Sequence, residues 1–124
     1  TILVVDADAR GGAALALGLE RLGYEVAACL GAREALEALG EAPHAFALVL
    51  ADQRLPGSSG MALAARLASL RPDLPVLLCA ESAQPDGAPP PNVRAVLAKP
   101  VDPDALALGV RKALAGPPGA GPRS

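Results

Sequence analysis

Three charged residues stand at the ends of apolar runs. Asp6 closes TILVVD, Asp52 closes FALVLAD, and Lys99 follows VRAVLA. An unpaired charge beside a core is costly, so a buried strand that ends in a carboxylate needs a use for it. Carboxylates in a cleft act as nucleophiles or cation ligands, and an ammonium beside them holds an anion. If the three runs are neighbouring strands, two carboxylates and one ammonium converge, a charge cluster of the kind that marks a functional site. Asp8 adds a second acid close to Asp6, but it stands where the chain turns toward a helix and reads as an N-cap. His44 follows Pro43 in a loop and reads as a surface histidine.

The elements that must position these residues alternate. Strands are expected at 1–6, 24–30, 46–52, 74–80 and 93–98, where short apolar runs are rich in Val, Ile and Leu. Helices are expected at 9–22, 32–39 and 61–70, with a last one in VDPDALALGVRKAL that has Asp102 as N-cap and Pro103 in its first turn. The Gly11–Gly12 pair and Gly18 weaken the first helix. Gly23 and Gly40 read as the stops of the first and second helices. RLPGSSG is a loop by composition, and ESAQPDGAPPPN, with four prolines, is irregular. Strand and helix in turn imply a parallel sheet covered on both faces, with its functional cleft beyond the carboxyl ends of the strands.

The 124 residues suit one domain, 52% of them are apolar, and the aliphatic types dominate. The formal charge of −2 comes without a basic block, which argues against a nucleic-acid surface. No apolar run is long enough to span a bilayer, so no membrane contact is expected. Cys29 and Cys79 have no metal-ligand spacing, and a reduced, cytoplasmic protein is the expected setting. The chain opens inside a strand, as a piece of a longer protein would. GPPGAGPRS, residues 116–124, is expected to be a disordered tail behind a domain at 1–115.

ILVVD, GYEV, LVLADQRLPGSSG and LAKPVD, in that order and spacing, resemble the receiver domains of two-component signalling. The resemblance covers about residues 1–115, and ADQRLPG is most similar to receivers attached to hybrid sensor histidine kinases. It implies a flavodoxin-like (CheY-like) fold, a doubly wound α/β sheet of five parallel strands in the order 2-1-3-4-5. It implies a domain that is not itself an enzyme and takes a phosphoryl group from a histidine kinase or its phosphotransfer domain. The acceptor would be Asp52, and Lys99 would pair with the phosphoryl oxygens, presented by a cis Lys99–Pro100 bond. Mg2+ would be held by Asp52, the backbone carbonyl of Arg54 and, through water, Asp6.

The carry-over is partial. Ala7 stands where the family has a second acid that ligates the metal, so magnesium binding should be weak or absent. Ala80 replaces the hydroxyl residue that ends strand four, and Val96 replaces the aromatic switch residue. The proline-rich stretch leaves helix four reduced or missing, which argues against a dimer built on helices four and five. Two readings of one fold follow: a receiver that still accepts phosphate on Asp52, or a degenerate pseudo-receiver that docks partners without phosphorylation. A third reading is remote. DADAR has the D-x-D spacing of haloacid-dehalogenase-like phosphatases, but the other motifs of that family are missing and there is little room for a cap.

Overall fold

The computed structural model describes residues 1–82 and 88–115. The element order is β1 (Ile2–Val5), α1 (Ala9–Arg21), β2 (Val26–Cys29), α2 (Ala32–Glu41), β3 (Leu48–Asp52), β4 (Arg54–Leu55), β5 (Ser58–Ser59), α3 (Gly60–Leu70), β6 (Val76–Ala80), β7 (Val93–Ala98) and α4 (Pro103–Ala115). Five strands form one parallel sheet in the order β2-β1-β3-β6-β7. Counting sheet strands alone, this is the 2-1-3-4-5 order expected from the sequence. Among the described residues there are four helices. The expected reduction of a helix between β6 and β7 falls partly on 83–87, outside the described residues; Glu81, Ser82 and 88–92 on either side are not helical. The expected tail at 116–124 also lies outside them.

The two-residue period of the strands divides the core. Leu3, Val5, Val49, Ala51, Val76 and Leu78 pack with Ala35 and Leu39 of α2 and with Leu63, Ala64 and Leu67 of α3. Ile2, Val4, Leu48, Leu50, Leu77 and Cys79 pack on the other face with Leu19 of α1 and with Leu106, Val110 and Ala113 of α4. Each large aliphatic side chain buried this way contributes about 1.5–3 kcal/mol. Cys29 and Cys79 are both free thiols, with β1 and β3 between their strands.

The caps explain where the helices begin. The Asp8 carboxylate accepts from Arg10 N at 3.1 Å and starts α1. Ser59 Oγ accepts from Ala62 N at 3.0 Å and Gln53 Oε1 accepts from Met61 N at 2.9 Å, so α3 is capped twice. Asp102 Oδ2 accepts from Asp104 N and Ala105 N at 3.0 and 3.1 Å, as its place before Pro103 predicts. Two expectations are corrected. Gly40 does not stop α2, which runs on to Glu41 with a right-handed backbone through the glycine. RLPGSSG is not loop alone: β4 and β5 pair as Arg54↔Ser59 and Leu55↔Ser58 around a Pro56–Gly57 turn. Gly57 has φ +65°, the left-handed geometry a type II turn asks of its third residue.

Candidate functional site

The site follows from strand parity. In β1, Ile2 and Val4 face α1 and α4, so the next residue of that parity, Asp6, faces the same way. In β3, Leu48 and Leu50 do the same and Asp52 follows. Ile2 lies beside Leu48 and Val4 beside Leu50, so Asp6 falls beside Asp52 on adjacent strands, about 4.8 Å apart along the hydrogen-bond direction. Asp52 in turn lies beside Cys79, and Cys79 beside Leu97. Lys99 is the next residue of that parity after Leu97, and its N–H donates to Ala80 O at 2.8 Å. Asp6, Asp52 and Cys79 therefore form one row at the carboxyl edge, and Lys99, one step beyond Leu97 and just past the end of β7, reaches back to it with its side chain. The peptide bond from Lys99 to Pro100 is cis.

Both carboxylates are buried, Asp6 at 4% and Asp52 at 7% exposure. Lys99 Nζ lies 2.8 Å from Asp52 Oδ1, to which Arg54 N also donates at 3.3 Å. Asp6 Oδ1 accepts from Asp8 N at 2.9 Å. Burial pushes the Asp6 carboxyl above the usual carboxylate range, and the charge of Asp52 adds to the rise, against the opposing Asp8 N–H and Lys99. Burial alone would depress the Lys99 ammonium, but its hydrogen bond and attraction to Asp52 outweigh it and raise its pKa. The Cys79 thiol is pushed up to about 12 by burial, with the two carboxylates adding to the rise. It is a neutral filler and not a nucleophile.

Two glycines make the site possible. A Cβ on Gly11 would stand 2.9 Å from Asp6 Oδ2, so the first turn of α1 passes directly over that carboxylate. A Cβ on Gly60 would stand 2.8 Å from the carbonyl of Asp52 and 2.7 Å from Leu78 Cδ2. The sequence shows Gly11–Gly12 only as a weakness in a helix, and here the close approach explains them. Cys79 shows as a site residue only through strand register, and Gly60 only through the packing of α3 against Asp52. Glu81 was missed as well: its Oε1 lies 2.7 Å from Arg54 Nη2 at the mouth of the site.

A cavity of about 420 Å³ opens beside Asp52, lined by Arg54, Met61, Ala80, Glu81, Val96 and Lys99 among others. Ala80 puts no hydroxyl into it. Val96 packs against the core on the α2/α3 face, with no ring to turn in or out. Asp8 does not join the acid pair, because its carboxylate is engaged at the start of α1. The metal implied by the resemblance would find Asp6, Asp52 and the Arg54 carbonyl. Ala7 offers it no ligand, and among the described residues no group of three or more His, Cys, Asp or Glu side chains is placed to hold an ion. The donor set is one carboxylate short of the family's. His44 is exposed in a turn just after α2, not within a helix. Among the described residues no helix is long and apolar enough to cross a membrane.

Comparison with known proteins agrees with this fold. The response regulator receiver domain family matches residues 2–111. A two-component response regulator of Arabidopsis thaliana, ARR14, is 42% identical over 77 residues; the match covers 62% of this chain and 20% of that protein, so the chain spans a fifth of this relative. The receiver domain of NtrX from Brucella abortus superposes with a TM-score of 0.78 at 30% identity, covering 94% of this chain and all of that one (100%). The receiver domain of the hybrid histidine kinase CckA superposes with a TM-score of 0.77 at 26% identity, covering 91% and 97%.

Proposed function

The chain belongs to the response regulator receiver domain family, and from that premise we propose that Asp52 accepts a phosphoryl group in a two-component phosphorelay. One observation carries the reading: a buried carboxylate at the end of the central strand β3, with the Lys99 ammonium at 2.8 Å. Attack by a carboxylate on a phosphoryl group brings anion to anion, so a positive partner is required. As the bond from an Asp52 oxygen to phosphorus forms, the bond from phosphorus to the donor nitrogen breaks. The nitrogen departs with its electron pair on a donor imidazole that already carries its proton. Lys99 then moves from a carboxylate oxygen to the phosphoryl oxygens. The donor is a histidine kinase or its phosphotransfer domain, and the setting is cytoplasmic, with no part in nucleic-acid binding.

The metal site and the switch are impaired. Ala7 removes a direct ligand, so magnesium binds weakly through Asp6, Asp52 and the Arg54 carbonyl. Ala80 and Val96 cannot pass on a signal through a hydroxyl and a ring. The likeness to the CckA receiver supports a hybrid sensor kinase as the parent chain. A second reading, a pseudo-receiver that docks a partner without phosphorylation, is favoured by those same three substitutions.

The test is labelling by a small phosphodonor such as phosphoramidate, read as the mass of one added phosphoryl group. Label that is lost in Asp52→Asn and released by hydroxylamine supports the first reading. A native chain that takes no label at any magnesium concentration leaves the docking reading in its place.

A further inference from the structure

The site holds fewer positive charges than its chemistry asks for. Asp6 and Asp52 against Lys99 leave a net charge of about −1. With Asp52 phosphorylated, a phosphoryl group of about −2 beside Asp6 and Lys99 makes it about −2. The metal donor set lacks a carboxylate at Ala7, and Lys99 is already paired with Asp52 at 2.8 Å. We propose that Arg54 supplies the second cation, closing its guanidinium onto the phosphoryl group of Asp52, and that Glu81 holds it at the mouth until then. The proposal rests on Asp52 as the acceptor.

Arg54 is rooted at the acceptor, since its own backbone N–H donates to Asp52 Oδ1 at 3.3 Å. Arg54 lines the cavity that also borders Asp52 and Lys99, where Ala80 presents only a methyl group. The guanidinium is paired with Glu81 at 2.7 Å, but the two side chains are 79% and 72% exposed. Such a pair is screened by water and weak, so exchanging it for a doubly charged phosphoryl group is favourable. The planar fork of an arginine can meet two phosphoryl oxygens at once, which a lysine cannot.

The test is the rate of phosphoramidate labelling in EDTA, where no metal can contribute. Arg54→Gln should lower the rate at least about tenfold, the scale of one lost charge-assisted hydrogen bond. Arg54→Lys should recover part of it, and Glu81→Gln should raise it, because the guanidinium is released. In the Ala7→Asp background with millimolar magnesium, Arg54→Gln should cost less than about twofold, because the ion then carries the charge. Arg54→Gln labelled at the native rate in EDTA, or slowed equally in both backgrounds, overturns the proposal and leaves Asp52 as acceptor. A native chain labelled only when magnesium is present also overturns the proposal and keeps the acceptor, whereas a native chain without label in EDTA and at every magnesium concentration, or label that persists in Asp52→Asn, overturns both.

Discussion

Ala7→Asp restores a carboxylate at the carboxyl edge of β1, and its effect on stability should change sign with magnesium. Ala7 is exposed, so the larger side chain displaces no core atom. Without metal the change takes the cluster of Asp6, Asp52 and Lys99 from about −1 to −2. Like charges a few ångströms apart in a water-rich setting cost about 1 kcal/mol. With metal, a ligand that binds only the folded state stabilises it by RT ln(1 + [L]/Kd), about 2.7 kcal/mol at a hundred times Kd. The variant should therefore melt a few degrees below the native chain in EDTA and above it in excess magnesium, with about 3–6 °C per kcal/mol for a domain of this size. The native chain should move little. Thermal unfolding followed by circular dichroism during a magnesium titration reads both arms. A native chain stabilised by magnesium as much as the variant would refute the argument that Ala7 leaves a ligand missing, and a variant that ignores the ion would refute the placement of the site. Phosphoryl transfer should also be faster in the variant with magnesium than in the native chain.

Gly60→Ala should destabilise by about 1–3 kcal/mol, as overpacking does, because the new methyl meets the Asp52 carbonyl at 2.8 Å and Leu78 Cδ2 at 2.7 Å; a rise in the urea midpoint, as helix propensity alone would give, would show that the close approach is not real. Asp6→Asn should stabilise the metal-free protein by about 1 kcal/mol at neutral pH, since a buried charge is removed and the Asp8 N–H keeps its acceptor. The folded pKa of Asp6 is raised, so the cost of its charge is absent below the unfolded value and complete above the folded one; the gain in Asp6→Asn should vanish in acid, and a gain that persists there would sink it. The folded pKa of Lys99 is raised too, so its contribution is intact below its ordinary value of 10.5 and lost as pH rises through the folded value. Unfolding curves of native and Lys99→Met should converge above that point and differ at neutral pH; identical curves at pH 7 would mean that the ion pair contributes nothing.

The doubly wound sheet was legible because alternation is a local property. Short β-branched runs separated by helical periods admit few topologies, and right-handed crossovers leave fewer. The N-caps Asp8 and Asp102 were legible for the same reason, since a cap acts within one turn. So were Asp6, Asp52 and Lys99 as strand-end charges, and Ala7, Ala80 and Val96 as departures from a known pattern. Gly40 was misread because a glycine can sit in a right-handed helix as well as end one, and the choice depends on what packs against that turn. The β4–β5 ladder was missed because two residue pairs are too few to show a period. What the sequence alone determined is which residues each strand turns to which face. Only the tertiary structure decided that Asp6, Asp52 and Cys79 share one row with Lys99 reaching back to it, that Gly11 and Gly60 lie against the two carboxylate-bearing residues, and that Glu81 reaches Arg54. Register and contact are set by the packing of segments distant along the chain, and no local period encodes them.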